Sequence, residues 1–139
     1  MLFRSAGRLI GINGNSLDTN VIIRLINGDE NIKRILLELT DISISVVVLG
    51  ELIFEAEKSN LKESNKNTYL NFCLSYPLLE ITKEVALTYG KLKAELQRKG
   101  RIMPENDIWI AATAIANNQT LYSQDKHFTE IEGLSSVRV

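Results

Sequence analysis

The sequence predicts an α/β fold built on a mostly parallel sheet. Three observations carry this. Short β-branched or apolar stretches alternate with segments of helical periodicity through most of the chain. Capping and turn residues (Asp29, Pro77, Thr82, Gly100, Pro104) punctuate them. Acidic residues recur soon after predicted strands, where open parallel sheets place their active-site crevice.

Taken in order, residues 15–17 read as a short strand, with a helix from Asn20 to about Asn27. Asp29 is placed to cap a second helix, in which Ile32, Ile35, Leu36 and Leu39 recur at helical spacing. The alternating stretch DISIS, residues 41–45, reads as a strand. Helix is expected from Val46 to Ser59, with Val48, Leu52 and Ala56 on one side. A further helix from Asn60 to Tyr76 carries a stripe of Tyr69, Phe72, Cys73 and Tyr76, and Pro77 stops it. LLEI, residues 78–81, reads as a strand. Thr82 caps a long helix with Val85, Tyr89, Leu92 and Leu96 inward, ended by Gly100. Asn106 is expected to cap the helix DIWIAATAIA, and TLYS (120–123) and SSVRV (135–139) read as the last strands.

The chain has 139 residues, of which 45% are hydrophobic and 24% charged, with a net charge of −1. That suits one domain with a real core and gives no global basic field for nucleic acid. A local basic groove can still coexist with an acidic site. The one cysteine, Cys73, excludes an internal disulfide and a cysteine-based zinc site, and a reducing, cytoplasmic location follows as the simplest reading. No apolar run approaches the roughly 18 residues that span a bilayer. Residues 1–14 lack a continuous hydrophobic region and read as an N-terminal extension, disordered or a mis-assigned start, rather than a signal peptide.

Four acids stand out. Asp18 follows the first strand, Asp125 follows TLYS, Asp107 opens a helix after the Pro104 loop, and Glu51 lies one to two turns into the helix after DISIS. Each alone has a plain structural reading: a helix cap for Asp18, a dipole partner for Asp107, a turn residue for Asp125, a solvated helix position for Glu51. Together they read differently if the fold gathers them. Two carboxylates at about 4 Å repel by about 4 kcal/mol at an effective dielectric near 20, so four cannot all stay ionised without a cation. Oxygen ligands without His or Cys suit Mg²⁺ or Mn²⁺, and such ions serve phosphodiester hydrolysis.

The pieces LDTNVII (17–23), SISVVVLGEL (43–52), NDIWIAATAIA (106–116), LYSQDKHF (121–128) and IEGL (131–134) resemble, in this order and spacing, the PIN-domain ribonucleases, in particular the VapC-type toxins of toxin–antitoxin pairs. The resemblance runs from about residue 15 to the end of the chain. It implies a single domain over residues 15–139, a three-layer α/β/α sandwich around a mostly parallel sheet of about five short strands. It implies that Asp18, Glu51, Asp107 and Asp125 are catalytic. Asp18, Asp107 and Asp125 would hold one or two Mg²⁺ or Mn²⁺ ions, and Glu51 would ligate through water or orient the attacking water. Ser123 matches a hydroxyl residue that would orient the last carboxylate or a metal-bound water, and Thr19 and Asn20 match a polar pair that supports the first acid. A homodimer and a VapB-like antitoxin that blocks the site are implied as well. Two departures stand against the pattern: 17 residues precede the first acid, and Glu55 occupies a position where a small residue is usual. Glu55 shares the face of Glu51 one turn on and is expected to face solvent or the antitoxin, with reach to the metal site as an extra acid the alternative.

The remaining candidates are less committed. His127, the single histidine, reads as a packing or turn residue in KHF rather than a general base. Lys91, Lys93, Arg98, Lys99 and Arg101 cluster in and after one helix, as an RNA-binding edge or a solvated face, and Lys126 stands beside the last acid as a phosphate contact or a solvated lysine. Trp109 and the alanines of its helix read as close packing, or a dimer face. A haloacid-dehalogenase-like phosphatase would need a second Asp where Asn20 stands, and a non-catalytic scaffold is disfavoured by the presence of all four acids. No Gly-rich phosphate loop follows the first strand.

Overall fold

The computed structural model describes residues 14–139. The expected extension therefore lies, but for Gly14, outside the described residues.

The strands are β1 (Gly14–Leu17), β2 (Ile42–Ser45), β3 (Leu78–Leu79), β4 (Gln119–Ser123) and β5 (Ser135–Arg138). The helices are α1 (Thr19–Ile26), α2 (Glu30–Leu37), α3 (Val46–Lys58), α4 (Lys62–Leu74), α5 (Lys83–Arg98) and α6 (Glu105–Ala116), with a 3₁₀ helix at Lys126–Glu130. The strands form one sheet in the order β3-β2-β1-β4-β5, parallel throughout. Helices enclose it in an α/β/α sandwich, as parallel sheets require to bury both faces. Leu17, Ile22, Ile44, Val48, Leu52, Leu121 and Phe128 are wholly buried around the strands. Five short strands and alternating helices match the expected architecture.

The chain steps from β1 outward to β2 on one side, while β4 and β5 lie on the other. The order thus reverses between β1 and β4, and a crevice opens beyond their carboxyl ends. Asp18 leaves β1 and Asp125 follows β4, so these two acids flank that switch point.

Most helix boundaries follow from their caps. The Asp29 side chain accepts from Asn31 N and Ile32 N, and Thr82 Oγ1 accepts from Val85 N at 3.2 Å. Gly100 ends the run after α5 at φ +67°, a left-handed conformation that suits glycine. Thr82→Ala is expected to cost about 1 kcal/mol, measurable by urea unfolding as a lower midpoint with an unchanged slope.

Three expectations need correction. Asn106 does not cap α6. The helix starts at Glu105, with Pro104 at the cap position and no side-chain cap bond, because the fixed φ of proline (−55° here) already sets the entry. The expected strand at 78–81 is only Leu78–Leu79, since β3 is an edge strand paired to β2 alone, and Ile81 is exposed. The first helix begins at Thr19, one residue early, because Asp18 already takes the extended cap conformation.

Trp109 packs as expected. Its ring stacks on Tyr89 of α5, with centroids 3.7 Å apart and planes 5° from parallel. Ala111, Ala112 and Ala114 are buried and let α6 approach the sheet closely.

Candidate active site

A cleft of about 690 Å³ opens at the carboxyl ends of the strands. Asp18, Glu51, Asp107 and Asp125 all line it, together with Thr19, Asn20, Ile23, Val47, Phe54, Glu55 and Asn106. Four separate pieces of chain deliver the acids: the end of β1, the second turn of α3, the first turn of α6 and the residue that caps the 3₁₀ helix.

Asp18 is only 6% exposed. Its Oδ1 accepts from Thr19 N at 2.8 Å and its Oδ2 from Ser123 Oγ at 2.7 Å. Ser123 Oγ in turn accepts from Asp125 N at 3.0 Å. This corrects the expected role of Ser123: its hydroxyl donates to the first acid, not to the last carboxylate, and ties that acid to the loop that carries the last. Asp18 is both helix cap and cleft residue, so the two readings open at the outset are not exclusive. Burial pushes its carboxyl above the ordinary carboxylate range. The bonds from Ser123 and Thr19 oppose that rise, and the charges of Glu51 and Asp125 add to it.

Glu51 is held at both oxygens. Thr19 Oγ1 donates to Oε1 at 2.5 Å, and Asn106 Nδ2 donates to Oε2 at 3.2 Å. This corrects the expected support of the first acid. Thr19 serves Asp18 through its backbone N–H, but its hydroxyl turns to Glu51 across the cleft. Asn20 is exposed in the cleft and, among the described residues, gives Asp18 no hydrogen bond. Asn106 is a site residue, although its type and place in the chain predict a helix cap. A hydrogen-bonding residue directly before an acid was the available signal, but its partner lies 55 residues away.

Asp125 Oδ1 accepts from His127 N at 2.9 Å and from His127 Nδ1 at 2.7 Å. Asp107 sits half-buried at the start of α6, and its carboxyl is pushed up to about 6. Burial is the main cause. The charges of Asp18, Glu51 and Asp125 reinforce it, and His127 opposes it.

Every donor atom offered by these acids is a hard oxygen, and the crowding is of a kind that a divalent cation relieves. Among the described residues no three acidic, His or Cys side chains converge into a ready-made cation cage. The carboxylates instead turn to protein donors: Thr19 and Asn106 for Glu51, His127 for Asp125. The residue types fit Mg²⁺ or Mn²⁺.

The basic cluster is largely satisfied within the chain. Lys93 Nζ lies 2.9 Å from Glu105 Oε2, Arg98 4.0 Å from Glu95, Lys99 3.7 Å from Glu132 and Arg101 2.8 Å from Glu130. Lys91 and Lys126 are exposed. Glu55 points to Lys58 at 2.9 Å on the cleft rim, and Lys58 lies over the Phe54 ring.

A five-stranded parallel α/β/α sandwich with four carboxylates at its switch point defines a class. Residues 16–134 match the PIN domain, and the chain belongs to that family. Ribonuclease VapC2 of Rickettsia felis is 35% identical to it over 123 residues, covering 85% of this chain and 92% of the relative. The tRNA(fMet)-specific endonuclease VapC of Salmonella typhimurium is 33% identical over 125 residues, 88% of this chain and 93% of the relative. Among solved structures, DNA-bound VapBC from Salmonella typhimurium superposes with a TM-score of 0.81 at 29% identity, over 90% of this chain and 97% of that one. No helix of the described residues is long and apolar enough to cross a membrane.

Proposed function

We propose that this chain is the toxin of a toxin–antitoxin pair, an endoribonuclease that hydrolyses RNA phosphodiester bonds with Mg²⁺ or Mn²⁺. The observation that carries this reading is the meeting of Asp18, Glu51, Asp107 and Asp125 in one cleft, two of them with carboxyls raised by burial and by their neighbours' charge. Asp18, Asp107 and Asp125 would hold one or two ions, and Glu51, fixed by Thr19 and Asn106, would orient the attacking water. When bound, the cation offsets the carboxylate charge and supplies Lewis-acid polarisation of the phosphodiester. Ser123 keeps Asp18 and the Asp125 loop in register. A VapB-like antitoxin is the protein partner, in keeping with relatives crystallised as VapBC complexes. The active form is a homodimer in the cytoplasm.

Incubation of the purified protein with RNA tests the reading. Cleavage is expected with Mg²⁺ or Mn²⁺, lost on EDTA and recovered when the ion is added back in excess. Cleavage that persists undiminished in EDTA rejects the cation.

A further inference from the structure

We propose that His127 is a positioning residue, whose imidazole fixes the Asp125 carboxylate with one oxygen left for a divalent cation and so sets the affinity of the site for that ion. This rests on the reading of Asp125 as a cation ligand. The four acids are not held alike. Asp18 and Glu51 each accept one hydrogen bond on each oxygen. Asp125 carries both of its bonds on Oδ1, from His127 N at 2.9 Å and His127 Nδ1 at 2.7 Å, and among the described residues Oδ2 receives none. A carboxylate only accepts, so Nδ1 carries the ring proton.

The two bonds do different things. The backbone N–H closes a local turn of the kind Asp forms two residues on, and any non-proline residue at 127 preserves it. The ring adds a second donor on the same oxygen and resists rotation of the carboxyl group. Burial does not account for the ring's position, because the His127 side chain is 62% exposed. Nor does substrate contact account for it, since Asp125 lines the cleft and His127 does not. The imidazole acts through Asp125, as outer partners of metal ligands do.

The test is Mn²⁺ titration of the purified full chain by calorimetry, for wild type, His127→Ala and His127→Asn, with melting temperatures recorded without metal. His127→Ala is expected to weaken Mn²⁺ binding about 10- to 100-fold, the usual loss for an outer-shell partner. His127→Asn, whose amide N–H stands near the place of Nδ1–H, restores most of it. Melting temperatures without metal stay alike. In RNA cleavage, His127→Ala needs correspondingly more Mn²⁺ for its half-maximal rate and approaches wild-type kcat when Mn²⁺ saturates. Wild-type Mn²⁺ affinity in His127→Ala overturns the proposal. So does an Asn variant as weak as Ala, or a fall in metal-free stability that accounts for the lost binding. If wild type itself binds no Mn²⁺, the cation reading fails, and the positioning role fails with it.

Discussion

Asp18→Asn is expected to leave a folded protein that no longer cleaves RNA. The substitution preserves volume at a site that is 6% exposed, and Asn Oδ1 still accepts from Thr19 N. What disappears is the charge that a cation needs at the centre of the cleft, and with it the acceptor for the Ser123 hydroxyl. Cleavage should drop at least about 100-fold, equivalent to more than about 2.7 kcal/mol of transition-state stabilisation. Because burial already disfavours the Asp18 charge, the melting temperature should not fall. Single-turnover cleavage of a defined RNA in Mg²⁺, beside circular dichroism, measures both. Wild-type cleavage by the variant would remove Asp18 from the mechanism.

Asp107→Asn should separate function from stability more widely, losing cleavage while gaining stability. The folded Asp107 carboxyl lies at about 6, against an ordinary value of 3.8. Folding therefore favours its protonated form. The associated stability is fully present below about pH 3.8 and is lost as pH rises through about 6. The shift sets a ceiling of about 3 kcal/mol. Solvent reaching the half-buried group reduces this to about 1–2 kcal/mol. Without metal, Asp107→Asn should melt higher than wild type at pH 7.5 and no higher near pH 4. Saturating Mn²⁺ should narrow the gap at pH 7.5, since only wild type gains a full set of ligands. Equal melting temperatures at pH 7.5 would show that Asp107 bears no such strain. The same variant should cleave RNA no better than Asp18→Asn.

These effects trace to features of unequal visibility in the sequence. The alternation of strand and helix was legible because capping side chains act locally. Asp29 and Thr82 bond to amides two or three residues on, and the chain carries that information in order. Asn106 misled for the same reason. It is a good cap by type, but Pro104 had already fixed the helix entry, which left its amide for Glu51. The four acids were legible as exceptions, carboxylates following strands on their way into a core. Their supports were not. Ser123 reaches Asp18 across 105 residues and Thr19 reaches Glu51 across 32, and only the packed sheet creates those neighbours. The basic cluster showed the converse limit. Lys99 and Arg101 look free in sequence, but their partners Glu132 and Glu130 come from the far side of α6 and β4.

The pairing of β1 with β4 bears on when the cleft can assemble. These central strands lie near opposite ends of the described chain, and the bond from Ser123 to Asp18 closes only when they meet. Contacts this distant in sequence form late, after the loop between them has been closed at an entropic cost. During synthesis, β1 can pair with β2 early, but its other edge stays open until β4 has left the ribosome. A nascent chain short of that point holds Asp18 without Ser123 or Asp125, and so has no assembled cleft. The topology therefore lets the cleft assemble only once nearly the whole polypeptide has been made.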